Sequence, residues 1–238
     1  MPMQHAARTF AILLLLAACG DREDPRVAAE PSVVDSALRP EGPGAPAPPN
    51  PPPATPVSLW QSNPVEGVRL TLGSPTVVET GPHALLWPEG AADLAPPYTV
   101  RAELRKRAGR LHEGFGIVFG GTGLDGAEAG QAYSYFLVRG DGSWLIKRRD
   151  GAQTPVVRDW TRHPRISRDV DGAGRTNLLE VRVGMDTTAF AVNGTEVARV
   201  PSGELAVRGR AGLRMPHDVV VEVRDFGAAA DAPAAGAP

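Results

Sequence analysis

Cysteine is almost missing from this chain: among 238 residues it occurs only as Cys19. A single thiol excludes an intramolecular disulfide and any cysteine-based metal cluster. Lysine is nearly absent as well; Lys106 and Lys147 are the only two, and arginine carries the rest of the basic charge. Net formal charge is only -2. That balance lacks the concentrated basic surface that nucleic-acid binding requires, so no nucleic-acid partner is expected. Aromatic residues make up 5%, but 42% hydrophobic residues still allow a core. No stretch shows the period of an amphipathic helix, which argues against a helical bundle. No apolar run reaches the roughly 20 residues that span a bilayer.

The lone cysteine sits at an informative place. Residues 1–19 read MPMQHAARTFAILLLLAAC. Arg8 supplies a positive start, Phe10 to Leu16 form a short apolar run, and small residues lead up to Cys19, the order of a secretory signal peptide. Leu16-Ala17-Ala18-Cys19 resembles the bacterial lipobox. The resemblance implies cleavage of residues 1–18, acylation of Cys19 and a lipid bilayer as partner, palmitate being one of the chains. Gly20, not aspartate, follows the cysteine, and Asp21 comes one later. The expectation is an exported lipoprotein, with the outer membrane preferred.

Residues 19–56 end in PEGPGAPAPPNPPPATP. Proline fixes φ and removes a donor, so this stretch reads as a disordered, extended linker. The 17 residues from Pro40 to Pro56 would reach roughly 50 Å as polyproline II. Four basic and six acidic residues precede residue 57, which leaves 21 of each sign for residues 57–238. Residues 228–238 read as a disordered, Ala-rich tail.

Residues 57–227 carry strand patterns throughout. Tyr98, Val100, Ala102 and Leu104 alternate with polar residues, as do Phe115, Ile117 and Phe119, then Leu179, Val181 and Val183, then Val219, Val221 and Val223. Shorter candidate strands are Val68–Leu72, Thr76–Glu79, Ala84–Trp87, Val156–Trp160 and Gly212–Met215. Asn193-Gly194 is a two-residue hairpin signal because both residues tolerate positive φ. About a dozen short strands at this spacing predict an all-β antiparallel sandwich or closed barrel.

YFLVRGDGSWLIKRR, from Tyr135 to Arg149, spells an Arg-Gly-Asp tripeptide. It reads as a strand end and a turn, not an adhesion ligand, because Asp141-Gly142 is a turn dipeptide. A two-residue loop places Arg139 opposite Trp144 and Tyr135 opposite Arg148. It puts Tyr133, Tyr135, Leu137, Trp144 and Ile146 on one face, and Phe136, Val138, Leu145 and Lys147 on the other. Both faces are apolar, so the hairpin is expected to lie inside its sheet.

The C-terminal half, GAGRTNLLEVRVGMDTTAFAVNGTEVARV followed by GRAGLRM and VVVEVRDF, resembles the end of a concanavalin A-like jelly roll. It is similar to the domain family named for 3-keto-disaccharide hydrolase, over roughly Leu59 to Gly227. The resemblance implies a jelly-roll sandwich in an exported bacterial protein, and a glycoside hydrolase as one activity. This chain departs from the family's catalytic strands. Where that family often has Y-E-x-Q, this chain has Tyr133-Ser134-Tyr135-Phe136; where it has G-H-I-G-L-Q, this chain has Gly209-Arg210-Ala211-Gly212-Leu213-Arg214. No pair of carboxylates stands at a credible strand spacing for glycosidase chemistry.

Candidate site residues follow from side-chain chemistry. Tyr133, Tyr135, Trp144 and Trp160, with Arg139 and Arg148, combine aromatic planes and donors as sugar sites do. His112 and Glu113 are the candidates for acid–base work. Asp125 and Glu128 would contribute to a calcium site in the loop GGTGLDGAEAG, which lacks the dense oxygen ligands of an EF-hand; it reads as a plain loop, with no cofactor. Three functions stay open: a tethered module that binds a glycan or envelope partner without catalysis, a divergent glycoside hydrolase, and a structural envelope protein.

Overall fold

A computed structural model describes residues 59–170 and 174–232. Cys19, the signal sequence and the Pro-rich linker lie outside the described residues. The described residues form fourteen strands and two single-turn 3-10 helices, joined by turns and loops. In chain order the strands are β1 (Trp60–Ser62), β2 (Val68–Thr71), β3 (Thr76–Thr80), β4 (Ala84–Pro88), β5 (Tyr98–Ala108), β6 (Phe115–Thr122) and β7 (Ala132–Arg139). Then come β8 (Ser143–Asp150), β9 (Val156–Arg162), β10 (Thr176–Val183), β11 (Thr187–Val192), β12 (Thr195–Pro201), β13 (Arg210–Met215) and β14 (Val219–Ala230).

They form two seven-stranded antiparallel sheets. One runs β1-β4-β13-β6-β7-β8-β9 and the other β12-β11-β10-β5-β14-β3-β2. Of the antiparallel sandwich or closed barrel expected from the alternation, the sandwich is observed, in keeping with the jelly roll that the resemblance implies. The inward sets are the predicted ones: Tyr98, Val100, Ala102 and Leu104 of β5 are fully buried, and so are Leu179 and Val181 of β10. Phe190 of β11 crosses between the sheets to Phe119 and Phe136, at ring-centroid distances of 5.9 and 5.2 Å. Burial of each such ring contributes about 1.5–3 kcal/mol.

Turn chemistry sets the registers. Asn193 and Gly194 both have positive φ, 50° and 77°, and close β11 onto β12 as the dipeptide predicted. The Asn193 side chain also ties this turn to its neighbours: its Oδ1 accepts from the Leu178 amide and its Nδ2 donates to Arg165 O.

The β7–β8 hairpin corrects one register. Arg139 pairs with Ser143, so the loop is Gly140-Asp141-Gly142, three residues rather than two. Gly142, at φ +85°, supplies the left-handed residue such loops use. Tyr135 therefore faces Lys147, Val138 faces Trp144, and Ser134 faces Arg148. A slip of one residue exchanges the faces of a strand. Trp144 and Ile146 go into the inter-sheet core beside Phe136 and Val138. Leu145 joins Tyr133, Tyr135 and Leu137 on the outer face. The hairpin does lie inside its sheet, between β6 and β9. At the C-terminus, β14 runs on past Gly227; Ala228, Ala229 and Ala230 pair with Val100, Thr99 and Tyr98 of β5. Those three residues belong to the sheet and not to the tail.

Candidate functional site

The outer face of the β7-containing sheet holds a second apolar cluster, separate from the core. It includes Leu85, Trp87, Val118, Tyr133, Tyr135, Leu137 and Leu145, with Trp160 packed against it. Alternation along β7 puts both tyrosines there, because residues i and i+2 share a face. Their rings lie 5.7 Å apart. Trp87 is fixed by a hydrogen bond from its Nε1 to Gln61 Oε1, 2.9 Å.

Arginines stand over these rings. The guanidinium carbon of Arg139 is 4.4 Å from the Trp160 ring centroid, that of Arg214 is 5.1 Å from Tyr135, and that of Arg149 is 5.9 Å from Tyr133. Such stacking is worth about 0.5–2 kcal/mol, more where water is excluded. Arg149 is further held by donating from Nε to the Tyr133 hydroxyl, 3.1 Å, and from Nη1 to Gly151 O, 3.0 Å. Beneath Trp160 lies Gly114, where a Cβ would come within 2.6 Å of the indole. A side chain at that position would push the ring away.

Of the six residues expected to bind ligand, four share this face: Tyr133, Tyr135, Arg139 and Trp160. Trp144 does not; it points to the inter-sheet core and packs against Phe136 there, whereas Tyr133 and Tyr135, though equally buried, belong to the outer cluster. Arg148 does not either, because its register places it with Ser134, whose hydroxyl accepts from the Ala206 amide on the inner side. Arg149 and Lys147 take those places. Arg214, far from Tyr135 in the chain, completes the group.

The turn residue Asp141 is nearly buried. Its Oδ1 accepts from Arg139 Nε at 2.9 Å and from the Ser143 amide at 3.0 Å. The Arg-Gly-Asp tripeptide is thus closed on itself. Burial pushes the Asp141 carboxyl up, but the bonds from Arg139 and Ser143 outweigh it and hold the group below its ordinary value. With a depressed folded value, the stabilisation is full above the unfolded value, about 3.9, and fades as pH falls through the folded one. Asp141→Asn is expected to cost about 1–2 kcal/mol at neutral pH. Urea denaturation at neutral pH and at about pH 2 checks this; the gap between variant and wild type should close in acid, and an unchanged gap would refute the ionic role.

The two acid–base candidates do not pair with each other. His112 is exposed, its Nδ1 3.7 Å from Asp141 Oδ2. Glu113 instead meets His217, 3.2 Å from Oε1 to Nε2, and His217 Nδ1 lies 3.2 Å from His83 Nε2. Burial first, then the charge of Arg214, holds His83 below its ordinary value. This chain of three joins residues from three distant connections, so sequence spacing gave no sign of it. Asp125 and Glu128 are both exposed, and Glu128 lies 3.4 Å from Arg149. Among the described residues, no three His, Cys, Asp or Glu side chains gather as metal ligands.

No protein-family model and no curated protein matches this chain. Solved structures do. The carbohydrate-binding module CBM66 from Bacillus subtilis aligns with a TM-score of 0.56 at 10% identity, over 74% of this chain and 96% of that one. A Bacillus subtilis protein of unknown function with a galectin-like fold aligns at 0.56 and 12%, over 72% and 89%. The carbohydrate recognition domain of Emp46p, in its metal-free form, aligns at 0.50 and 13%, over 72% and 88%. With two antiparallel seven-stranded sheets and these neighbours, the domain has the galectin-like jelly-roll fold.

Proposed function

We propose that this chain is a lipid-anchored envelope protein whose jelly roll binds a glycan on its outer aromatic face, without catalysis. The observation that carries the reading is the set of Tyr133, Tyr135 and Trp160 beneath Arg149, Arg214 and Arg139 on one sheet face. An aromatic plane accepts the apolar C–H face of a sugar while neighbouring donors fix its hydroxyls. The names of two structural neighbours, a carbohydrate-binding module and a carbohydrate recognition domain, support the same reading. Two acids that could serve a hydrolase are engaged by arginines: Asp141 with Arg139 and Glu128 with Arg149. The lipobox-like Leu16-Ala17-Ala18-Cys19 motif supports an acylated Cys19, and the proline-rich linker supports a domain held off the membrane.

A glycan array probed with the purified protein tests the binding. Saturable binding to a glycan class is expected; none across neutral and charged glycans would refute it. Palmitate labelling tests the anchor: wild type should take up label and Cys19→Ala should not, and equal label would refute it. One observation favours a hydrolase as the second reading, the chain Glu113–His217–His83. Release of sugar from 3-keto-glycosides would establish it.

A further inference from the structure

We infer that the glycan bound on this face is acidic, carrying a carboxylate or phosphate that Arg214 and Lys147 receive on either side of Tyr135. The inference rests on the glycan-binding reading and goes further in naming the ligand's charge.

The charges on the face do not cancel. Arg139 is neutralised by Asp141, Arg149 by Glu128, and Arg210 by Asp93 at 3.8 Å. The side chains of Arg214 and Lys147, each on a paired strand, have no acidic partner and donate no hydrogen bond among the described residues. Yet residues 57–238 hold 21 acids against 21 bases, so acids enough to pair with them were available. The domain is neutral as a whole and cationic at this place.

The two cations converge by register. Arg214 sits on β13, opposite Gly116 of β6, and Gly116 is opposite Leu137 of β7. Lys147 sits on β8, directly opposite Tyr135. Both are half-buried, which weakens solvent screening. The guanidinium carbon of Arg214 lies 5.1 Å from the Tyr135 ring centroid, and none of its N–H donors is engaged among the described residues. A guanidinium edge matches a carboxylate or phosphate with two parallel bonds. Lys147 adds a point charge with three unused donors. The free cation is also felt next door, where the Arg214 charge helps burial to disfavour a protonated His83.

Matched polymers test the charge. Polygalacturonate and its fully methyl-esterified form share one backbone and differ in carboxylate charge. A phosphomannan and its dephosphorylated form do the same for phosphate. The purified protein is expected to bind at least one acidic member about ten-fold or more tightly than its neutral counterpart. That preference should shrink as salt rises. Arg214→Gln and Lys147→Gln should each remove most of it in a protein that still unfolds cooperatively, with a midpoint lowered by no more than about 2–8 °C for the lost stacking, while Arg69→Gln on the other sheet leaves it intact. Preference for the uronate alone assigns a carboxylate, and for the phosphomannan alone a phosphate. Equal binding of charged and neutral members, or a preference that survives both variants, overturns the inference and leaves glycan binding standing. Binding to no polymer and to no array glycan overturns both.

Discussion

Lys106→Met is expected to lower the stability of the domain by about 3 kcal/mol. Lys106 is one of only two lysines, and its side chain is 3% exposed. Its Nζ lies 2.9 Å from Asp169 Oδ2 and donates to Arg110 O at 2.9 Å. Methionine keeps the apolar stem but leaves Asp169, itself 11% exposed, as an unpaired buried carboxylate. Asp169 is pinned to the β7–β8 turn, since its amide donates to Gly140 O. A Cβ at Gly140 would collide with its carboxylate. The pair therefore ties the end of β5 to the turn that sets the register of the outer face. Typical domains have only about 5–15 kcal/mol in total, so the loss should be plain in urea denaturation. Adding Asp169→Asn removes the stranded charge and should recover part of the loss. A single variant within about 0.5 kcal/mol of wild type, the usual range for surface changes, would mean that the pair is solvated.

Much of the fold was legible because a strand with one buried face must alternate, and here most did. Tyr98 to Leu104 and Asn193-Gly194 each carried their structure in a few local residues. What was not legible depended on long-range contacts. The length of the β7–β8 loop turned on Asp141 capping Ser143 and on Gly140 packing against Asp169, a residue from a later loop. A one-residue error there exchanged Trp144 and Arg148 for Leu145, Lys147 and Arg149. Arg214 reaches Tyr135 only because β6 lies between β13 and β7 in the sheet, an order that strand patterns do not encode. The same holds for Glu113, His217 and His83, gathered from the ends of three strands. The tail boundary was misplaced for another reason: Ala228 to Ala230 pair through their backbones, and small side chains give no alternation to read.

Trp160→Ala is expected to weaken glycan binding about thirty-fold, near 2 kcal/mol, as loss of an aromatic hot spot does. Trp87, Tyr133 and Tyr135 are buried, whereas Trp160 is half-buried on β9, at the edge of the sheet. It is therefore the ring most able to meet a sugar plane. Arg139 stacks on it while bonded to Asp141, so the indole and the turn hold the guanidinium from two sides. Alanine removes the plane and one of those two restraints, yet leaves the Asp141 bonds to Arg139 and Ser143 in place. Stability should fall by about 1–2 kcal/mol, the loss of one half-buried cation–π contact and some packing. Trp160→Phe keeps a plane and should recover a large part of the affinity, which a purely structural tryptophan would not predict. The loss should also be insensitive to salt, because the removed contact carries no charge, unlike the loss in Arg214→Gln. Titration calorimetry at two salt concentrations separates the two contributions. A folded Trp160→Ala protein that binds as tightly as wild type would place the sugar elsewhere on the sheet.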